Sequence, residues 1–486
     1  VLLVGLLSIY ALHAYGVLAV LSRYSSACRE RRNRTKERGL KQSAETGWPD
    51  VLTQIPMYNE ANVAERAIRA AASMRYPGRH VIQVLDDSTD QTRTVVDECA
   101  AQLRSEGHLV DVIRRPRRSG FKAGALAYGL EHSDADFVAV FDADFVPAED
   151  FLEETIPYFL GDRAVGFVQG RWTFLNDRES LLTRAQAVAL DSHFAVEQEA
   201  RSAHPDCMMS FNGTAGVWRR VAIDDAGGWS AETLTEDLDL SCRVQMRGWR
   251  GVFVPHLKVP GELPASFSSF KSQQFRWAKG AIQVALRTLP GVLAARLPIM
   301  TKVELSFHLT QHMVYPLLLL AILLGPFVWS HPGMSWVAGG VGLAFVAAAV
   351  APSLVYAVGQ LRLYPGAGKR RLLRLPFTIL SVTGLAAANA RAVVEAIMGH
   401  RSAFIRTPKK GDAKKKDYRV SFPVPPHWEV LLAIYVLVGA AIALICGNPG
   451  ACVFGLLAGA SFAYIGVSSL IESLAHRGSP ASEQAS

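Results

Sequence analysis

The sequence is short of charge and of organised cysteine. Charged residues make up 19% of it, against about 25% in average soluble domains. Its six cysteines, at positions 28, 99, 207, 242, 446 and 452, form no C-x-x-C pair and no Cys/His cluster, which argues against a zinc site or a disulfide framework. The basic runs carry no aromatic residues interleaved with base-reading side chains, so nucleic acid is set aside as a partner. No internal repeat is visible, which excludes a solenoid.

What the chain has instead is hydrophobic length and an uneven charge. Half of the 486 residues are hydrophobic and the formal net charge is +8. Length alone suggests two or three domains. The basic residues crowd into Arg23–Lys41, Lys369–Arg374 and Lys409–Arg419. Each run flanks an apolar segment, so the positive-inside rule accounts for them, with contact to anionic membrane lipids as a secondary role. Val1–Leu21 has no basic residue ahead of it and no small-residue cleavage site, and reads as an anchor whose basic end faces the cytoplasm.

From Pro49 to about Val259, short β-rich runs alternate with helical stretches, the pattern of an α/β domain. Strands are expected at Val51–Ile55, Val81–Leu85, Leu109–Ile113, Phe137–Phe141 and Val165–Gln169, with helices at Ala61–Met74, Gln91–Ser105 and Lys122–Glu131. A polar motif follows the first, second and fourth of these strands, where open α/β sheets bind ligands. Ser266–Leu289 reads as an amphipathic helix lying in the membrane interface, with Lys271, Arg276 and Lys279 among apolar residues. His308–Trp329, Trp336–Val358, Trp428–Cys446 and Val453–Ile471 are apolar enough to span a bilayer. Pro376–His400 is expected to be re-entrant or interfacial, because one crossing there would put one of its two basic flanks outside. The resulting division is an anchor at 1–22, a basic linker at 23–48, the α/β domain at 49–262, interfacial helices at 263–300, spans within 301–360 and 427–472, a cytoplasmic or interfacial segment at 361–426, and a disordered tail at 473–486.

The motifs suit chemistry on a charged, sugar-like ligand. Asp142 and Asp144 end a strand, and period-two alternation aims both carboxylates to one side. Together with diphosphate oxygens they suit Mg²⁺ or Mn²⁺. Asp86-Asp87 ends another strand and can accept hydrogen bonds from a base or ribose, while Ser88 or Asp90 caps the next helix. Asp237, in Thr235-Glu236-Asp237, opens a helix, where a carboxylate complements the dipole. It is equally placed to act as a general base on an acceptor hydroxyl, with Glu236 as fallback. Lys122, beside Gly120 and Gly124, suits a phosphate. Phe211–Gly216 is a small-residue loop in which Asn212, Gly213 and Thr214 let backbone approach a sugar closely. Gln273, Arg276 and Trp277 share one helix face and offer an amide, a guanidinium fork for phosphate and a flat ring for a sugar.

Pro56-x-Tyr58-Asn59-Glu60, Asp86-Asp87, Asp142-x-Asp144, Thr235-Glu236-Asp237 and Gln273-x-x-Arg276-Trp277, in this order, resemble the family 2 glycosyltransferases of the cellulose synthase superfamily. The strings around Asp86, Phe211–Arg219 and Gln273–Trp277 are most similar to the cellulose synthase-like A and C branches (mannan, glucomannan and glucan synthases) and their bacterial relatives. The resemblance covers about Leu52 to Thr407. It implies a GT-A fold, a Rossmann-like mixed sheet, fused to a multi-pass α-helical membrane region, and an inverting hexosyl transfer. It also implies a nucleotide-sugar donor, UDP-glucose or GDP-mannose, held by Pro56, Tyr58, Glu60, Asp86, Asp87, Lys122 and Asp142, with metal at Asp144. Asp237 becomes the base. Asn212, Gly213, Thr214, Glu236, Gln273, Arg276 and Trp277 hold acceptor and diphosphate, and Phe404, Arg406 and Thr407 belong to a cytoplasmic gating segment. The acceptor is a nascent polysaccharide threaded through the chain's own spans or, alternatively, a membrane lipid receiving one or a few sugars. The expected location is a bacterial inner membrane, or a Golgi membrane in a eukaryote. Asn212-Gly213-Thr214 stands where bacterial cellulose synthases carry a cysteine-containing string, and no cyclic-dinucleotide-binding domain is read, so neither cellulose nor that control is expected.

Overall fold

A computed structural model describes residues 2–329, 350–400, 402, 409, 411 and 420–477. The expected gating residues Phe404, Arg406 and Thr407 lie outside the described residues, as does most of the expected span at Trp336–Val358.

The α/β domain is built on one seven-stranded sheet. Its strands are β1 (Val51–Met57), β2 (His80–Asp86), β3 (Leu109–Ile113), β4 (Phe137–Val140), β5 (Val165–Phe174), β6 (Gly216–Arg219) and β7 (Arg250–Gly261), in the order β3-β2-β1-β4-β6-β5-β7. Only β6 runs antiparallel to its neighbours β4 and β5. The central strands are apolar or buried on both faces, as parallel strands covered by helices must be. One core lies between the sheet and helices α2 (Ala64–Ala72), α3 (Thr92–Ser105) and α5 (Phe151–Gly161). A second lies under α4 (Phe121–Leu130) and α9 (Glu236–Met246), around the fully buried Trp218. Between them in sequence come α6 (Leu181–Ser192), a π-helical turn at His193–Gln198, α7 (Glu199–Ala203) and α8 (Arg220–Asp225).

The expected strands are all present, and β6 and β7 are additional. The β7 segment contains Pro255 and Pro260, a residue type that removes a ladder hydrogen bond. Pro255 falls where the β5–β7 register jumps, from Gly170 opposite Val254 to Arg171 opposite Lys258, and a bulge is where a strand tolerates proline. The D-x-D motif departs from the strand alternation expected of it. β4 ends at Val140, and Asp142–Phe145 is a turn closed by the Phe145 amide on the Asp142 carbonyl.

The first helix, α1 (Leu2–Thr46), is continuous, so the basic segment read as a linker is helical. It crosses α5 at backbone contact: a Cβ on Gly39 would lie 1.8 Å from the Pro157 oxygen, and one on Gly161 1.9 Å from the Thr35 oxygen. Arg32 binds both carboxylate oxygens of Glu199, at 2.8 and 3.0 Å.

After the sheet come α10 (Phe267–Ala294), α11 (Ile299–Thr310), a 3₁₀ turn at Gln311–Met313, α12 (Val314–Trp329), α13 (residues 350–363), α14 (Gly368–Arg371), α15 (Leu375–Gly384), α16 (Ala386–Ile397), α17 (Pro426–Ile445) and α18 (Pro449–Arg477). Among the described residues, Leu2–Thr46, Ile299–Val328, Pro426–Ile445 and Pro449–Ala475 are long and apolar enough to cross a membrane. Gly368–Gly384 and Ala386–Ile397 form a pair bent by 41°. α18 runs past Ser473, where a disordered tail was expected.

Three basic side chains expected at the membrane surface or interface are instead buried ion-pair partners. Lys271 reaches Glu429 of α17 at 2.7 Å, both fully buried, and Lys279 reaches Glu395 of α16 at 2.7 Å. Arg371, from the second basic run, binds Asp191 of α6 at 3.0 Å. Removing one member of a buried pair strands the other charge, whereas replacing both with apolar groups is far better tolerated. Lys271→Met is therefore expected to cost roughly 3–5 kcal/mol, read as a lowered Tm in detergent, and the double variant Lys271→Met/Glu429→Leu should recover most of the loss.

Candidate active site

Sheet polarity gathers the motifs. β1, β2 and β4 run parallel, so Tyr58, Asp87 and Asp142 emerge at one edge. The antiparallel β6 starts at that edge, which brings in the Asn212-Gly213 loop, and β7 ends there at Gly261 and Glu262. A cavity of about 180 Å³ lies against this edge, lined by Pro56, Tyr58, Glu60, Asp87, Lys122, Asp142, Asp144, Asn212, Gly213, Glu236, Asp237, Gln273, Arg276 and Trp277. Two expected residues sit behind its wall. Asp86 is buried and accepts bonds from the Ser88 amide and Arg114. Thr214 is buried and its hydroxyl accepts from the Asp142 amide at 2.9 Å.

The site is a mesh of opposite charges. Lys122 donates to Asp142 at 2.5 Å and to the Gly213 carbonyl at 2.8 Å, with Glu236 at 3.7 Å. Burial disfavours its ammonium, but Asp142 and Glu236 overcome that and raise its pKa. It is presented by two successive left-handed residues, Gly120 (φ 70°) and Phe121 (φ 48°), and Phe121 is the strained one. Arg115 pairs with both Asp87 oxygens, and the Arg118 guanidinium lies 3.3 Å from the centre of the Tyr58 ring.

Asp144 is buried, accepting from the Glu262 amide at 3.1 Å and from Lys409 at 2.8 Å. Burial pushes its carboxyl pKa up against the pull of Lys409. Asp142 and Asp144 fit a hard cation: both offer carboxylate oxygens to one cavity, and both already balance a positive charge. Among the described residues no group of three or more His, Cys, Asp or Glu side chains assembles a metal cage, so water and ligand oxygens would complete the shell.

Asp237 lies in the first turn of α9. Burial pushes its carboxyl up to about 7, reinforced by the neighbouring Glu236 charge and opposed by Lys122 and backbone amides. A carboxyl poised near neutrality in a cavity has the standing of a general base. The Gln273/Arg276/Trp277 face of α10 is seated against this motif. A Cβ on Gly280 would lie 2.5 Å from Thr235 Cγ2, and the Gln283 side chain accepts from the Leu234 amide at 3.0 Å. Burial lowers the Arg276 pKa, against the attraction of Glu236, Asp142 and Asp237.

Sequence reasoning missed Arg118, Trp172, Glu262 and Lys409 as site residues; all four line the cavity. Trp172 was legible only if β5 is carried on to Phe174, beyond the apolar run that ends at Gln169.

A mixed sheet with carboxylates, cationic side chains and indoles at one edge fits the glycosyltransferase class, and residues 49–280 match the family model described as "Glycosyltransferase like family 2". The chain is 35% identical over 422 residues to glucomannan 4-beta-mannosyltransferase 7 of Arabidopsis thaliana, covering 82% of this chain and 72% of that one. It is 36% identical over 426 residues to probable glucomannan 4-beta-mannosyltransferase 4 of Oryza sativa subsp. japonica, covering 82% and 74%. With probable glucomannan 4-beta-mannosyltransferase 7 of the same organism it shares 42% over 278 residues, where the chain spans about half (47%) of that relative's length. Among solved structures, the Pyrobaculum calidifontis mannosyltransferase PcManGT in complex with GDP-Man and Mn²⁺ matches at 20% identity and a TM-score of 0.45, over 81% of this chain and 100% of that one. The chain belongs to the family of the glucomannan 4-beta-mannosyltransferases, within the family 2 glycosyltransferases.

A Cβ on Gly213 would sit 2.9 Å from Asp237 Oδ2, at a φ of 77°. Gly213→Ala is therefore expected to displace the Asp237 carboxylate. A shift on the order of 1 Å costs about 10²-fold, so sugar transfer should fall by about that factor, with a loss of Tm from placing a Cβ at positive φ.

Proposed function

We propose that this chain is a membrane-embedded, inverting, metal-assisted mannosyltransferase that extends a β-linked mannan or glucomannan from GDP-mannose. The single observation that carries the reading is the meeting of Asp144, Asp237 and Trp277 in one cavity, from motifs spread over more than 130 residues of the chain. Relatives named as glucomannan mannosyltransferases, matched over most of this chain, support mannose and a polysaccharide acceptor over glucose or a lipid.

In this reading the nucleoside lies against Tyr58, Glu60 and Asp87. Lys122 and Arg276 face the diphosphate and balance the charge released as the glycosidic bond to it breaks. Asp142 and Asp144 would hold Mg²⁺ or Mn²⁺, which when bound adds further positive charge at the leaving group. Trp277 and Trp172 supply flat faces for the acceptor sugars. Asp237 takes the proton from the attacking hydroxyl as the new bond forms on the opposite face of the anomeric carbon, which inverts its configuration. The α/β domain and the basic runs face the cytoplasm.

Asp237→Asn is expected to abolish transfer while leaving nucleotide-sugar binding nearly intact, measured by rate and by calorimetry in detergent. A base acts deprotonated, and the Asp237 pKa is raised to about 7. The kcat/KM of the wild type should therefore fall about tenfold per pH unit below pH 7 and level off above it. Sizing of labelled product tests the polymer: a product that partitions with lipid and never lengthens rules out a polysaccharide acceptor.

A further inference from the structure

Asn212 borders the cavity beside Gly213, and an unusual element holds its side chain. The π-helical turn His193–Gln198 interrupts the helix between α6 and α7. Its i→i+5 bonding widens the turn, and such turns recur at functional sites. Here residues i, i+4 and i+5 converge on one neighbourhood. His193 Nδ1 lies 2.9 Å from Glu197 Oε2, and His193 Nε2 lies 3.1 Å from Asn212 Nδ2. Gln198 Nε2 donates to Asn212 Oδ1 at 2.5 Å and to the Ser210 carbonyl at 2.7 Å. The Asn212 backbone amide is held separately, by Gln169 Oε1 at 2.9 Å.

Donor and acceptor roles in this chain are chemically determined. The Ser210 carbonyl only accepts, so Gln198 presents its NH₂, and Asn212 must therefore answer with its oxygen. Arg201 lies 3.5 Å from Glu197. The hydrogen bond from His193 and the nearby Arg201 guanidinium favour the Glu197 carboxylate over its neutral form. A carboxylate only accepts, so Nδ1 of His193 carries the hydrogen and its Nε2 accepts from Asn212. The Asn212 amide cannot flip without setting NH₂ against NH₂. One N–H and one lone pair of Asn212 remain outside these bonds.

We propose that His193 is a positioning residue for acceptor recognition: with Gln198 it fixes the Asn212 amide in one orientation, so that its remaining N–H and lone pair read a hydroxyl pair on the terminal acceptor sugar. This rests on the glycosyl-transfer reading of the cavity. A site built to hydrogen-bond particular hydroxyls rejects a sugar that presents them differently, because its own polar groups are then left unpaired.

The test uses the full chain in detergent, labelled GDP-mannose and a β-1,4-linked mannose oligosaccharide. His193→Leu is expected to raise the oligosaccharide KM about tenfold or more while the GDP-mannose KM stays within about twofold. His193→Gln, which can return an acceptor near the Nε2 position, should recover much of the loss. In an Asn212→Ala background His193→Leu should add nothing, since its effect runs through Asn212. Equal changes in both KM values, additive effects in the double variant, or an unchanged oligosaccharide KM would overturn the proposal. Failure of the wild type itself to elongate the oligosaccharide would overturn the underlying reading instead, and is told apart by being seen before any variant is made.

Discussion

The structure depends on how one helix is clamped. α10 carries Gln273, Arg276 and Trp277 to the cavity, and three later helices hold it there through carboxylates. Glu472 of α18 accepts from the Phe267 and Ser268 amides at its N-terminus, at 2.7 and 3.3 Å. Glu429 of α17 takes Lys271, and Glu395 of α16 takes Lys279. A negative group at a helix N-terminus and ammonium groups paired out of water are each geometrically demanding. Their worth here is in register rather than in net stability: a slip of α10 by one residue would leave two buried charges without partners. On its other side, Gly280 and Gln283 dock on the loop that leads into Asp237. The apolar helices therefore take part in setting the distance between Asp237 and Trp277.

The same economy of charge governs the cavity. Asp142 and Asp144 are each met by an ammonium group, and Asp87 by a guanidinium. Among the described residues Asp237 has no such direct cationic partner and sits beside Glu236, and burial drives its carboxyl up to about 7. A highly charged substrate and its counter-ion would exchange with these pairs rather than enter an uncompensated pocket, which keeps desolvation small.

Much of this was legible in the sequence, for a definite reason. Parallel strands with apolar runs are easy to see, and their carboxyl ends share an edge, so Tyr58, Asp87, Asp142 and Asp144 fall together. Thr235-Glu236-Asp237 and Gln273-x-x-Arg276-Trp277 were legible as motifs, though what seats one on the other, a glycine and a glutamine, carries no signal of its own. Three things were hidden. Pro255 disguised β7, because a bulge that accommodates proline cannot be told from a loop without its partner strand. Lys271 and Lys279 looked like interfacial lysines because their partners lie more than a hundred residues away. The π-helical turn was invisible: its bonding reaches one residue further than an α-helix's, and nothing in the spacing of His193, Glu197 and Gln198 marks that. Asp86 shows the opposite error, a motif residue whose carboxylate organises the Ser88 turn and Arg114 behind the cavity wall.

The seating of α1 on α5 has a mechanical meaning. A helix of 45 residues is about 67 Å long at 1.5 Å per residue, and it meets the α/β domain through backbone contacts at Gly39 and Gly161 that leave no play. Such a member behaves as a strut. Were its apolar N-terminal half to lie in a bilayer, this contact would hold the cavity at a set distance from the lipid surface.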